Sequence, residues 1–203
     1  STTYAQFEFQ FKEKEDNSLE KVIEELIKSE VYIFGDFLNY PNVKELKSKG
    51  QNKYYNTLEL FIEKDYLYYL AHKDNFISLS EKALNKLKVL SIAELAMSHK
   101  NMTYDFLKSS LKIDNTNELN RILFKGFTSG ILTGYINQKD EKVEIIHVRP
   151  RHSLDKKTAT KLISEVVQNI EDSSEIIDEQ KEKLKSEKEN MEHEIEISRI
   201  KLE

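Results

Sequence analysis

Cysteine is absent from the 203 residues, which removes disulfide scaffolds, thiolate zinc sites and thiol nucleophiles at once. Only 2 Pro and 5 Gly occur. Turn-rich β architectures need many more breakers, so helix is predicted to dominate. No run approaches the roughly 18 consecutive apolar residues of a membrane span, and Ser1–Lys14 lacks a signal-peptide core. The expectation is a soluble protein of the cytoplasm and nucleus. Histidine is scarce as well. His72, His99, His147, His152 and His193 form no pair at metal-binding spacing. Gly126 and Gly130 are not followed by the Lys-Ser/Thr of a phosphate loop, and no nucleophile elbow occurs. The prediction is therefore no catalytic site, no metal and no cofactor.

Charged residues make up 33% and hydrophobic residues 38%, too apolar for disorder yet polar enough for long solvated helix faces. The net charge of −5 hides an asymmetry. Ser98–Lys161 holds twelve Lys and Arg against seven Asp and Glu, whereas Leu162–Glu203 holds six against thirteen. A mildly basic module followed by an acidic helix implies two parts with different jobs.

Along the chain, residues 1–17 alternate polar and aromatic side chains from Tyr4 to Phe11, which suits an edge strand or an aromatic tether. Asn17 with Glu20 reads as a capping box before an apolar stripe of Val22, Ile23, Leu26 and Ile27. Val31–Leu38 is predicted as a short apolar helix, followed by helices from Pro41, around Tyr55–Ile62 and over Tyr66–Ala71. Short helices joined by tight turns predict a helical-repeat stack over 18–78. Ser78 with Glu81 reads as the next cap, and the helix behind it, apolar on several sides, is predicted to be a buried hinge. Asn101-Met102 is then a short extended link. Helices follow from Thr103 to Leu111 and from Asn115 or Thr116 to Lys125, and a hairpin pairs Ile131–Ile136 with Lys142–Val148. That order is a winged helix, predicted over 79–149.

The tail, 153–203, has neither Pro nor Gly, and Ile163, Ile170, Ile177, Leu184 and Met191 recur every seven residues. One apolar row is too thin to fold upon itself. A long C-terminal helix that docks in a bundle is predicted, with Ile177, Leu184, Met191 and Ile195 as interface positions. Val143 and Ile145 are a second candidate interface, on a hairpin strand read as terminal in its sheet. Arg149, Arg151, Lys156 and Lys157 form a basic turn that suits an acidic partner, or is merely solvated.

Four stretches carry a resemblance. Val31–Leu38 with Pro41–Leu46, Asn85–Ser91, Glu118-Leu119 and Gly130–Lys139 resemble, in order, the subunit-seven family of the COP-nine (constitutive photomorphogenesis) signalosome, a branch of the PCI-domain proteins. The resemblance spans roughly 30–170. It implies a mainly α fold with a helical stack, a winged helix and a bundle-forming C-terminal helix. It further implies a non-catalytic scaffold whose partners are the other PCI subunits of the complex that removes Nedd8 from cullins. Relatives in initiation factor three and the proteasome lid are the alternative membership. A nucleic-acid-binding winged helix is the rival function. Against it, Asn117–Lys125 offers only Arg121 and Lys125 as positive charges on the third helix.

Overall fold

Eight α-helices and three strands appear in a computed structural model that describes residues 3–13, 16–48, 50 and 52–151 and, singly, Glu182, Lys185, Ser186 and Glu189. The chain is thus mainly helical with a small sheet. Tyr4–Glu13 forms α1, a correction to the strand expected there. Tyr4, Phe7 and Phe11 are spaced for one helical face. Phe7 and Phe11 are fully buried, whereas Phe9 is 67% exposed. The apparent period of two came from Phe9 alone. Tertiary contacts decide the outcome: Phe11 stacks on Phe37 at 4.5 Å, and the Asn42 side chain donates to the Phe11 carbonyl at 2.6 Å.

Asp16–Lys28 forms α2, which buries Leu19, Val22, Ile23, Leu26 and Ile27. The segment after it is a second correction. Val31–Phe34 is not helical, and only Phe37–Asn39 turns, as a 3-10 helix. Tyr32, Phe34 and Phe37 are all buried, and Phe34 donates its N–H to the Arg151 carbonyl at 2.7 Å. Gly35 sits at φ +52°, where a Cβ would fall within 2.1 Å of the Tyr4 hydroxyl. Burial on both sides produces the apolar run here, so the run alone cannot separate helix from coil.

Pro41–Ser48 is α3, Asn52–Glu63 α4 and Tyr66–Ala71 α5. Asp65 caps α5 by accepting from the Tyr68 N–H. Glu81–Ser98 forms α6, capped by Ser80 rather than Ser78: the Ser80 hydroxyl accepts from Ala83 N–H at 3.3 Å. Leu87, Val89, Leu90, Ile92 and Ala96 bury several sides of α6, as the hinge reading expects, but Met97 is 52% exposed. The helix packs against α2 and α5 on one hand and against the elements that follow on the other.

Those elements are β1 (Asn101–Thr103), α7 (Tyr104–Leu111), α8 (Thr116–Thr128), β2 (Leu132–Asn137) and β3 (Lys142–Val148). The Thr103 hydroxyl caps α7 through Phe106 N–H, and the Asn115 side chain caps α8 through Asn117 N–H. The sheet is antiparallel with strand order β1-β3-β2. Gly126 lets α8 lie against β2, since a Cβ there would come within 2.6 Å of the Leu132 side chain. The predicted C-terminal helix lies outside the described residues except at Glu182, Lys185, Ser186 and Glu189, which are helical.

Candidate functional site

The hairpin offers an interaction edge, but not the one expected. β3 is the central strand. It meets Asn101–Thr103 on one side and Leu132–Asn137 on the other. Val143 and Ile145 point into the core and are buried, which corrects their assignment as an exposed interface. The sequence predicts the short extended Asn101-Met102 but not its pairing with Lys142–Glu144, because two or three residues carry too little pattern to show which strand they join. Among the described residues β2 is therefore an edge strand. Ile145 donates its N–H to the Lys100 carbonyl at 2.8 Å, on the β1 side. Alternation along β3 then turns Glu144 toward its partner Tyr135, so Ile136 presents its own N–H and C=O outward.

The outer face of this sheet carries two large apolar side chains. Tyr135 is 53% exposed and Ile146 64%. Pairing shifts register between Thr133 and Gly134, and Ile146 is the unpaired residue opposite the shift, the geometry of a β-bulge. The Tyr135 hydroxyl bonds to the Glu144 carboxylate, holding the ring beside the open edge.

The basic turn is likewise divided by the fold. Arg149 is exposed and donates its backbone N–H to Ile131 O at 2.8 Å. Arg151 is buried and already occupied, a correction to its assignment with Arg149 as a docking residue. Its guanidinium donates to the Phe61 and Lys64 carbonyls at 3.3 and 2.6 Å, capping the C-terminal end of α4, and to Glu94 at 2.9 Å. Lys156 and Lys157 lie outside the described residues, as do Ile177, Leu184, Met191 and Ile195. The described histidines stay apart: His72 stacks on Tyr68, His99 packs near Phe106, and His147 lies exposed on β3. Among the described residues no three His, Asp or Glu are grouped to hold a metal ion.

A cleft of about 550 Å³ opens between the residues after α2, the N-terminal half of α6 and α8. Sequence reasoning did not find it, because its lining residues are scattered from Ser29 to Lys125. Glu30 accepts from Lys82 at 3.2 Å and from Lys125 at 2.5 Å. These bonds, that from Lys125 first, hold its carboxyl below the usual range. Lys88 pairs with Glu118 at 2.6 Å. Lys86 forms the inner wall. Only 3% exposed, it donates to the Leu26 and Ser29 carbonyls at 2.7 and 3.3 Å and faces the Tyr32 and Phe34 rings at 5.3 and 5.1 Å. Burial pushes its pKa down to about 7, with Lys82 acting the same way and Glu30 opposing.

Residues 55–147, from α4 to the end of the hairpin, match the PCI domain model. The chain is 33% identical over 121 residues to COP9 signalosome complex subunit 7 of Drosophila melanogaster, covering 60% of this chain and 44% of that protein. Against the Dictyostelium discoideum subunit 7 it is 30% identical over 115 residues, 57% of this chain and 44% of the relative. The Arabidopsis thaliana subunit 7 is 29% identical over 125 residues, 61% and 48%. The matches thus span less than half the length of these curated relatives. The resemblance read from the sequence to the PCI-domain family and its subunit-seven branch stands.

Proposed function

We propose that this chain is a non-catalytic scaffold subunit of a COP9 signalosome, the complex that removes Nedd8 from cullins. In this reading α6 to β3 act as a winged helix that docks side by side with the winged helices of other PCI subunits. The C-terminal segment joins a helical bundle with theirs. The observation that carries the reading is the open edge of β2, flanked by exposed Tyr135 and Ile146. An unpaired edge with apolar side chains beside it is the surface that β-augmentation uses: backbone groups supply affinity and the neighbouring side chains supply register. The similarity over 55–147 to subunit 7 proteins supports the same reading. The similarity to subunit 7 proteins favours this membership over the alternatives in initiation factor three and the proteasome lid.

The test is co-expression of a tagged chain with the other signalosome subunits. Tyr135→Lys with Ile146→Lys places charge on the edge, while the ammonium introduced by the first substitution still faces Glu144. Both positions are exposed, so thermal stability is expected to change by no more than ~0.5 kcal/mol, and incorporation to be lost. Removal of residues 174–203 should also abolish incorporation while leaving the rest folded. Full incorporation of both variants would refute the reading.

A further inference from the structure

The cleft between α6 and α8 continues onto a face of α8 that no described element covers. Phe124 is 68% exposed, more than any other large apolar side chain among the described residues. With 3.6 residues per turn, Arg121 stands between Phe124 on the outer face and Glu118 and Lys125 on the cleft wall. Five cationic side chains line the cleft (Lys82, Lys86, Lys88, Arg121 and Lys125) against Glu30, Glu81 and Glu118. Lys82 and Lys125 share Glu30, and Lys88 takes Glu118. Lys86 is satisfied by backbone carbonyls. Arg121 has no described ion-pair partner and projects at the rim, exposed.

We propose that this cleft and the adjoining face of α8 dock a short acidic segment of another protein, with a carboxylate on Arg121 and an apolar side chain on Phe124. Charge complementarity carries the choice of occupant. The guanidinium is a planar fork suited to a carboxylate. The surplus of cations over carboxylates favours an anion without extending to a long basic track. A duplex fits poorly, because Glu30, Glu81 and Glu118 interrupt any phosphate path and few unpaired cations remain to release counterions. An exposed aromatic beside an Arg with no described ion-pair partner is the composition of an interface anchor. The cleft lies on α6 and α8, away from the β2 edge, so this docking does not rest on the assembly reading.

Fluorescence anisotropy on the full chain tests it. The probe is a short fluorescein-labelled peptide of glutamates around one leucine, compared with the same peptide carrying glutamines and with a labelled DNA duplex. The glutamate peptide is expected to bind, and the glutamine peptide to bind at least ~10-fold more weakly. Arg121→Gln and Phe124→Ala are each expected to weaken the glutamate peptide ~10-fold, whereas Phe9→Ala, at an exposed position on α1, leaves it unchanged. Both α8 positions are exposed, and unaltered thermal unfolding confirms that the variants fold. Equal affinity for both peptides, indifference to both α8 substitutions, or no peptide binding would overturn the proposal. Tighter binding of the duplex than of the peptide would assign the face to nucleic acid instead.

Discussion

Lys86→Met keeps an unbranched side chain in a buried channel but removes the ammonium that the channel suppresses. In the unfolded chain this group titrates near 10.5, and in the folded protein burial brings it to about 7. A folded pKa below the unfolded one means that the unfolded state binds more protons between those values, so stability rises with pH across that window. Below pH 7 the full penalty of a buried charge is present, and above 10.5 it has gone. The whole difference corresponds to about 5 kcal/mol, and the span from pH 7 to 9 to about 2–3 kcal/mol. Tyr32, raised above the ordinary tyrosine range chiefly by burial, works in the opposite sense. Its contribution to stability is present below pH 10 and lost as pH climbs through the folded value, so it leaves this window untouched. Glu30, held low by Lys125 and Lys82, titrates well beneath it. The thioether removes the Lys86 donor from the Ser29 carbonyl, whereas the Leu26 carbonyl still accepts from the Ser29 N–H and hydroxyl, a cost of ~1–3 kcal/mol that does not depend on pH. The slope, not the absolute stability, is therefore diagnostic. Urea unfolding at pH 6, 7, 8 and 9 should give a rising midpoint for the natural protein and a nearly flat one for the variant. Parallel curves for the two proteins would refute the reasoning.

Gly134→Ala should part the hairpin, because the added Cβ would lie 2.0 Å from the Glu144 carbonyl oxygen and only backbone movement can relieve it. A loss of ~1–3 kcal/mol and faster amide exchange across Leu132–Asn137 are expected, and unchanged exchange there would contradict the packing described. Arg151→Met should strand the Phe61 and Lys64 carbonyls at ~1–3 kcal/mol. Calorimetric unfolding measures the cost, and amide exchange should quicken first at the C-terminal end of α4.

Local chemistry sufficed for the elements whose signals are short-range. Pro41 opens α3, Thr103 caps α7 and Asn115 caps α8 because these residues act within one turn of themselves. The hairpin strands and the buried, many-sided character of α6 were equally legible, since each is a periodic pattern over several residues. Low Gly and Pro content had already turned the chain toward helix, and four stretches in order pointed to the PCI family.

Contacts between distant residues decided the rest. Whether Tyr4–Phe11 is strand or helix depends on Phe37 and Asn42, neither of which its own pattern contains. Val31–Phe34 stays out of helix with its Phe34 N–H held by Arg151, well over a hundred residues later. β3 lost its place as an edge to Asn101–Thr103, a pairing set by where α6 ends rather than by any feature of β3. The candidate cleft gathers Glu30, Lys86 and Arg121 from three parts of the chain, each ordinary alone. Charge and periodicity are properties of a segment and can be read from it, but burial, edge status and the lowered pKa of Lys86 arise only when segments meet. Those properties determine which side chains this protein shows to a partner.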